Sequence, residues 1–321
     1  MIGVKMKKFL SLLLVIPLTL LSFVPNSLAL ESPKTVGYIG QIDTYFPPEA
    51  ALGSILDNTG EYNYILFAFW NKSGSTGPAL EWELGTFGDT RQAVEGFHQQ
   101  GINVLISAGG EFEAPVNMYD PIEYGIELAE YALKYNFDGV DFDIENLPNG
   151  DPDNTSDWLA AATQAVKMVY PEAIISHAPQ APYFSPAQFY GYLQVNEKAG
   201  DLIDFYNIQY YNQGELTPYD DYEMLFINSG WNQPETSVRE IHENGVPLEK
   251  IVIGKPVTPN DVFPGNTGYV EPHVLADFIC QGISDGLEPG GVMGWQWLSD
   301  KNSGGDWSEM VSEPFHAPFC R

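Results

Sequence analysis

The sequence predicts a single (β/α)8 barrel, and two observations lead to that prediction. Eight short, β-rich apolar runs are spaced along the chain, and stretches of helical composition or periodicity lie between most of them. No long linker, repeat array or low-complexity appendage divides the chain after its N-terminal segment. We therefore expect one barrel domain over residues 30–321, preceded by a cleavable segment over residues 1–29.

The first thirty residues have the pattern of a secretory signal peptide. Lys5, Lys7 and Lys8 form a basic start, residues 9–24 are apolar, and small residues lead to a cleavage point after Ala29. The apolar stretch is short for a membrane span, although an uncleaved anchor is the alternative. We expect a secreted, extracellular protein that has no membrane contact once this segment is removed.

Each predicted strand is rich in apolar, β-branched or aromatic residues. In chain order the strands cover residues 36–40, 64–70, 103–108, 139–145, 173–177, 203–211, 251–257 and 292–297. Helical composition or periodicity marks residues 90–100, 122–135, 157–169, 235–244 and 271–283. Residues 185–200 are ambiguous between helix and loop. Pro- and Gly-rich pieces fall in the strand-to-helix connections, which argues against a second domain.

Charge and cysteine content exclude several kinds of partner. The chain has 43 acidic and 14 basic residues, a formal charge of −29, so binding to nucleic acid or to an anionic membrane is not expected. The charge fits a saline or acidic habitat, or a cationic substrate, equally well. Cys280 and Cys320 could form a disulfide in an exported protein. With two cysteines and five scattered histidines, we expect no metal site and no cofactor.

The fourth predicted strand carries an unusual set of acids. Side chains alternate along a strand, so Asp141, Asp143 and Glu145 point to one side, while Asp138 has the opposite parity. Acids stacked on one side repel one another and resist burial, which is useful where one carboxyl must stay protonated. The alternative is an amphipathic edge strand whose acids face water.

The other strand ends supply aromatic and amide side chains, and catalytic groups of a barrel lie at these ends. Aromatic faces stack on sugar rings, and amides bind hydroxyl and N-acetyl groups, so the set is typical of a carbohydrate site. The predicted rim residues are Tyr38, Gln41, Phe69, Asn71, Gln180, Gln209, Tyr211 and Trp295, with Trp297 as a weaker candidate.

These motifs resemble the family 18 glycoside hydrolases, the chitinases and their relatives. Residues 138–145 match the DxxDxDxE pattern, and residues 107–110 look like the family's SxGG motif. Residues 38–41, 178–180, 208–212, 268–270 and 290–295 are similar to motifs of the small plant-type class III chitinases. The resemblance covers residues 36–297. It implies a catalytic barrel that lacks the large α+β insertion of bigger members, because residues 258–291 hold only a loop and one helix.

The resemblance also implies a role for each of five residues. Glu145 would be the general acid, and Asp143 would orient the substrate's N-acetyl group, whose carbonyl attacks the anomeric carbon. Asp141 would lie deeper and share a proton or hydrogen bond with Asp143. Tyr211 would donate its hydroxyl to the N-acetyl oxygen, and Trp295 would form the floor beneath the distorted sugar.

The remaining motif residues have structural interpretations. Ser107, Gly109 and Gly110 are expected to shape the top of the barrel and leave room beside the acids. His177 is expected to be an interior histidine with satisfied hydrogen bonds, and Asp138 to have a structural role at the start of its strand.

The predicted function is a monomeric, secreted endo-chitinase that binds chitin or chitooligosaccharide. The first alternative is another hydrolase of N-acetylglucosamine polymers, either an endo-β-N-acetylglucosaminidase or a lysozyme-like enzyme. The second alternative is a non-catalytic chitin-binding lectin, but the presence of Glu145, Asp143 and Tyr211 argues against it.

Overall fold

Eight parallel strands close into a barrel in the order in which they occur along the chain. The computed structural model describes residues 33–42, 48–148 and 150–321, so the predicted signal peptide lies outside the described residues. The strands are β1 Lys34–Ile39, β2 Tyr64–Trp70, β3 Asn103–Gly110, β4 Gly139–Ile144, β5 Ile174–His177, β6 Phe205–Gln209, β7 Ile251–Pro256 and β8 Gly291–Trp295. Residues Lys34–Gly37 pair with Gly291–Gly294, which closes the ring and confirms the predicted barrel.

Helices occupy the connections between the strands. They are α1 Pro48–Leu56, α2 Gly77–Glu83, α3 Thr90–His98, α4 Pro121–Tyr135, α5 Pro152–Val169, α6 Tyr192–Ala199, α7 Val238–Glu243, α8 Pro272–Ser284, α9 Trp297–Asn302 and α10 Asp306–His316. Helix α5 begins earlier than predicted because Asp151 caps its N-terminus and Pro152 fits the first turn. The ambiguous residues 185–200 divide into an irregular stretch and α6.

Most strands are buried on both faces, because helices cover the barrel outside and side chains fill it inside. Strand β2, with sequence YILFAFW, is apolar at every position and almost wholly buried. At the bottom of the barrel the ring of Tyr64 packs edge-on against Phe205, with centroids 5.1 Å apart. Lys34 Nζ lies 5.7 Å from the centroid of the Phe205 ring, so the amino group of this buried lysine packs against an aromatic face near the base of the barrel.

The last strand ends earlier than the sequence predicted. Strand β8 stops at Trp295, and α9 begins at Trp297. Trp297 is therefore turned into the core, where its indole Nε1 donates to the carbonyl oxygen of Asn58 at 2.9 Å. Trp297, the weaker candidate for the rim, is therefore not part of it, because strand alternation no longer applies once the helix starts.

Two other expectations concern the last third of the chain. The connection between β7 and β8 holds a short turn at Pro259–Asp261 and α8, so it carries no α+β insertion. Cys280 on α8 and Cys320 near the C-terminus form a disulfide. No helix among the described residues has both the length and the apolar character needed to cross a membrane.

Candidate active site

The acids of β4 point into the barrel. Val140, Phe142 and Ile144 face outward into the hydrophobic core beneath the helices, and the alternating Asp141 and Asp143 are buried inside. The alternative of an edge strand with acids in water is therefore wrong, because β4 is paired on both sides, with β3 and with β5.

Asp141 is held by a ring of donors that come from four other strands. Its Oδ2 accepts hydrogen bonds from Tyr38 Oη and Ser107 Oγ, both at 2.7 Å. Its Oδ1 accepts from Ser176 Oγ at 2.6 Å and from Asn207 Nδ2 at 3.5 Å. Burial raises the pKa of Asp141 to about 6, although all four donors oppose that rise by stabilising the carboxylate.

Asp143 lies two residues beyond Asp141 on β4, nearer the open end of the barrel. Its Oδ1 accepts a hydrogen bond from Gln209 Nε2 at 3.0 Å, and the same amide donates to the carbonyl oxygen of Ala178 at 2.9 Å. Burial, then the negative charges of Glu145 and Asp141, hold the pKa of Asp143 well above its usual range. The site therefore favours one shared proton among its acids over three full charges.

Glu145 is the first residue beyond β4, and its side chain is half-buried. The hydroxyl of Tyr183 fixes its main chain by donating to the Glu145 carbonyl oxygen at 2.6 Å. Burial raises the pKa of the Glu145 carboxyl, hydrogen bonds from Gln209 and Gln180 lower it, and the charge of Glu111 raises it. The net effect is an elevated pKa, which suits a carboxyl that donates a proton.

The acids open into a cavity of about 600 Å³ at the C-terminal end of the barrel. Asp143, Glu145 and Tyr211 contribute to its wall. The other lining residues come from the ends of β2, β3, β6 and β8 and from the loops that follow β1, β2, β3, β6, β7 and β8, and they include Gln41, Phe69, Asn71, Glu111, Phe112, Gln209, Asn212, Asp261, Phe263, Trp295 and Gln296. A cavity of this size and polarity accommodates a small ligand or part of a polymer.

Aromatic rings form one wall of this cavity. The rings of Trp295 and Phe69 are stacked, with centroids 6.0 Å apart and planes 20° apart. Tyr38 packs against Trp295 at 5.8 Å, while its hydroxyl reaches down to Asp141. The peptide bonds Ala68–Phe69 and Trp295–Gln296 are both cis. The flat aromatic surface beside the acids is suited to the apolar face of a sugar ring.

The glycines of the SxGG segment leave room for this arrangement. Gly109 has a φ of +108°, and a Cβ there would lie 2.4 Å from the Asp143 carbonyl oxygen. Gly110 has a φ of +78°, and its Cβ would lie 2.9 Å from the Phe69 ring. Any side chain at either position would therefore push into the acids or the aromatic wall.

The structure brings most of the predicted rim residues together. Gln41, Phe69, Asn71, Gln209 and Trp295 all line the cavity. Two other predicted residues, Tyr38 and Gln180, are not among its lining. Tyr38 lies beneath it as a partner of Asp141, and Gln180 Oε1 accepts from Gln213 Nε2 at 3.1 Å beside Glu145.

Comparison with known proteins places the chain in a family. Residues 34–311 match the glycosyl hydrolases family 18. The chain belongs to glycosyl hydrolase family 18. This finding confirms the predicted resemblance and the prediction that the protein is a glycoside hydrolase.

Several relatives and solved structures are similar to this family 18 chain. An acidic endochitinase of Phaseolus angularis is 25% identical over 319 residues, which cover 91% of this chain and 93% of the relative. A chitinase of Enterococcus faecalis is 27% identical over 73% of this chain and 70% of its own. The structure of a family 18 chitinase from Pseudoalteromonas aurantia is 24% identical, has a TM-score of 0.66, and covers 88% of this chain and 100% of its own. Its low identity supports the barrel fold alone.

Tyr211 lies beyond β6 in this family 18 site, and a buried lysine fixes its loop. Lys255 Nζ donates to three carbonyl oxygens: Tyr210 at 2.8 Å, Tyr219 at 2.6 Å and Gly268 at 3.1 Å. Burial lowers the pKa of Lys255 to about 7. Tyr211 itself is buried, and its pKa is raised by burial and by the charges of Asp143 and Glu145, so its hydroxyl stays protonated as a donor.

Sequence reasoning missed several residues of the family 18 site. A single serine or asparagine on a strand has no distinctive pattern, so Ser176 and Asn207 were overlooked. The signal that could have identified them is their even spacing from the predicted residues at the ends of the same strands. Phe112 and Phe263 line the cavity and are 93% and 55% exposed. They lie in loops, where periodicity gives no information about which side chains reach the cavity.

The histidines of the described chain take no part in the site. His177, predicted to be an interior residue, is buried and contacts Thr163 Oγ1 at 3.1 Å and Tyr192 Oη at 3.4 Å. Burial lowers its pKa to about 3, so it stays neutral. No group of three or more His, Cys, Asp or Glu side chains within the described residues is arranged to hold a metal ion.

Proposed function

We propose that the protein is a secreted endo-chitinase that cleaves β-1,4 bonds between N-acetylglucosamine units and retains the anomeric configuration. The observation that carries this proposal is the column of acids from Asp141 through Asp143 to Glu145. Only its upper end, Asp143 and Glu145, borders the cavity, and the charge of each acid is opposed by burial.

In the proposed first step, the carbonyl oxygen of the substrate's N-acetyl group attacks the anomeric carbon. The bond to the glycosidic oxygen breaks, and Glu145 gives its proton to that oxygen as the leaving sugar departs. The elevated pKa of Glu145 supports this role, because the carboxyl keeps its proton above the pH at which an ordinary glutamate loses it.

Asp143 would stabilise the oxazolinium-like intermediate that results. Its carboxyl group is held by Gln209 and faces the cavity, so it would give up its proton and become negative as the N-acetyl nitrogen becomes positive. Glu145, now ionised, would take a proton from water as the water attacks the anomeric carbon and opens the ring of the intermediate. Asp141, which lies deeper, would accept the proton given up by Asp143 and return it when the intermediate is hydrolysed.

Tyr211 and Trp295 would position the sugar that reacts. Tyr211 remains protonated and borders the cavity, so its hydroxyl can donate to the N-acetyl oxygen. The stacked pair of Trp295 and Phe69 offers a flat surface for the sugar's apolar face. Gln41 and Asn71 add amides at the wall for hydroxyl groups.

Chitin is the proposed substrate, and cleavage within the chain is the proposed mode. Relatives that align over most of this chain include an acidic endochitinase and a chitinase. The described connection between β7 and β8 holds a short turn and one helix. It carries no inserted α+β subdomain that could wall this side of the cavity. A chitin chain could therefore lie across the open cavity, without having to enter it by one of the chain's ends. The N-terminal pattern over residues 1–29 supports secretion.

The test is incubation of the mature protein, and of its Glu145→Gln variant, with chitohexaose, while NMR follows the products and their anomers. Early release of β-anomeric dimers to tetramers by the wild type alone supports the proposal. Loss of the general acid should lower kcat by about 10²–10⁴-fold. Glu309→Gln, at an exposed position of α10, is the matched control and should retain full activity.

Other outcomes would redirect the proposal. If neither protein cleaves chitohexaose but the wild type cleaves an N-glycan or peptidoglycan, the protein is one of the alternative hydrolases. Binding without cleavage of all three substrates would identify a lectin. Unchanged turnover by Glu145→Gln would contradict the mechanism.

A further inference from the structure

Glu111 is a cavity-lining carboxylate that the proposed mechanism does not use. It follows Gly110 at the end of β3, and its side chain is exposed within the cavity wall. Its main chain is fixed from the neighbouring strand end, because Asn146 Nδ2 donates to the Glu111 carbonyl oxygen. Glu111 is thus held at the cavity edge by a defined contact, while its carboxylate is left to the solvent.

The carboxylate of Glu111 lacks the partners that other acids at the rim have. Asp261, which also lines the cavity, accepts from Thr258 Oγ1 and Ser299 Oγ, both at 2.7 Å. Glu113, two residues on, accepts from Tyr124 Oη at 2.7 Å and from Lys72 N at 3.0 Å. No described residue forms a hydrogen bond or ion pair with the Glu111 carboxylate. Among the described residues that line the cavity, none is a lysine or an arginine.

Glu111 lies on the side of the cavity nearest the proton donor. Gly110 pairs with Ile144 across β3 and β4, so Glu111 and Glu145 follow side by side at the ends of these strands, and the charge of Glu111 acts on Glu145. In the proposed mechanism Asp143 faces the N-acetyl group of the reacting sugar, and Glu145 faces the oxygen of the leaving sugar. The leaving sugar is therefore the substrate unit closest to Glu111.

The neighbouring residue supplies an apolar contact beside this charge. Phe112 is 93% exposed and also lines the cavity, so its ring is available to stack on a sugar. An exposed carboxylate next to an exposed ring matches a sugar that carries a positive charge. In a partly deacetylated polymer, that sugar is glucosamine, whose amino group is protonated in mildly acidic solution.

We propose that Glu111 binds the ammonium group of a glucosamine unit in the leaving-sugar position, which makes partly deacetylated chitin a preferred substrate. The inference rests on the proposed function, since the reacting sugar must keep its N-acetyl group for substrate-assisted cleavage. Glucosamine is therefore excluded from the reacting position itself, and the neighbouring unit nearest Glu111 that can be glucosamine is the leaving sugar. Uncharged N-acetylglucosamine at the same position would bind without help from this carboxylate.

The test is to sequence the products of a partly deacetylated oligosaccharide pool by mass spectrometry. The leaving sugar becomes the new non-reducing end, so the wild type should enrich glucosamine there over its share of the pool. Glu111→Gln should lower this enrichment roughly two- to fivefold, as expected for a solvated ion pair. The enrichment is a ratio within one product pool, so it does not depend on the overall rate, which Glu111 also affects through the pKa of Glu145. Glu95→Gln, an exposed position on α3 outside the barrel, should behave as wild type.

Salt provides a second readout that a structural effect would not move. Raising the ionic strength to about 1 M shortens the screening length to about 3 Å, so the enrichment by wild type should fall toward that of Glu111→Gln. If wild type cleaves chitohexaose but shows no enrichment, or if Glu111→Gln keeps it, the inference is overturned while the proposed function stands. If chitohexaose is not cleaved at all, the proposed function itself fails.

Discussion

Ser107 on β3 and Asp141 on β4 occupy the same level of the barrel, and a 2.7 Å hydrogen bond joins them. Ser176 on β5 pairs with Asp141 on its other side. A serine, an aspartate and a serine therefore lie side by side across β3, β4 and β5. Residues paired in parallel strands point the same way, which explains why both hydroxyls meet the carboxylate. The register of the sheet thus places two hydrogen-bond donors beside Asp141, the deepest of the three acids.

The first prediction concerns this hydroxyl pair. Ser107→Ala removes one of the two donors to Asp141 Oδ2, so the buried carboxylate loses a hydrogen bond to a charged group. We expect a loss of about 1.5–3 kcal/mol in the free energy of unfolding and a fall in kcat of about tenfold, measured by denaturant titration and chitohexaose turnover. Ser54→Ala is the control, since the Ser54 hydroxyl has no hydrogen-bond partner. Equal effects of the two variants would contradict a special role for Ser107.

The second prediction is a pH dependence of stability. Asp141 has a pKa of about 6 in the folded protein against an ordinary value of 3.8, so the folded state binds its proton more tightly. This contribution is fully present below pH 4 and is lost as pH rises through 6, with a total of about 3 kcal/mol. Unfolding free energies of wild type should therefore fall over this window.

An Asp141→Asn variant separates this effect from the repulsion of the acidic surface. Without the titrating group, the fall in unfolding free energy between pH 4 and pH 7 should be smaller than in wild type. Identical slopes for the two proteins would show that Asp141 does not titrate in this window.

The third prediction concerns the pH profile of activity. The amide of Gln209 lowers the pKa of both Asp143 and Glu145. Gln209→Leu removes that hydrogen bond, so the basic limb of kcat/KM should move to higher pH while kcat itself decreases. The measurement is a pH–rate profile on chitohexaose. Gln92→Leu, at an exposed position of α3, is the control and should not shift the basic limb of the profile. If Gln209→Leu does not shift it either, the Gln209 amide does not lower the pKa of the catalytic acids.

The fourth prediction concerns the disulfide, which spans 40 residues of sequence. Cys320→Ser opens the covalent loop that encloses β8, α9 and α10, and should lower the free energy of unfolding by about 2–4 kcal/mol. Denaturant unfolding of oxidised wild type, reduced wild type and the variant gives the comparison. Reduction should destabilise wild type only, and an equal response of the variant to reductant would disprove the explanation.

Local sequence patterns were sufficient for the barrel and for the acids of β4. The alternation of Asp141, Asp143 and Glu145 with apolar residues predicts both the strand and its inward face, since the strand pattern repeats every two residues. The end of β8 was misjudged, because nothing in the sequence between Trp295 and Trp297 shows where a helix replaces the strand.

Contacts between distant segments were harder to predict. Lys255 stands in an apolar strand, and sequence alone does not reveal the three carbonyl oxygens that surround its ammonium group. Glu111 and Phe112 follow the SxGG motif directly, yet loop geometry decides whether such side chains face the cavity or the solvent. These features depend on the closed barrel, which gathers loops from strands far apart in sequence.

Lys255 also has a consequence for how the enzyme meets its substrate. Its ammonium group, wholly buried in β7, holds the carbonyls of Tyr210 and Tyr219 on one rim segment and that of Gly268 on another. If either segment moved away, the buried ammonium group would lose hydrogen-bond partners, which is costly in a low-dielectric interior. The tyrosine at position 211 is thus preorganised, and little of the binding energy of the sugar is spent on ordering this part of the rim.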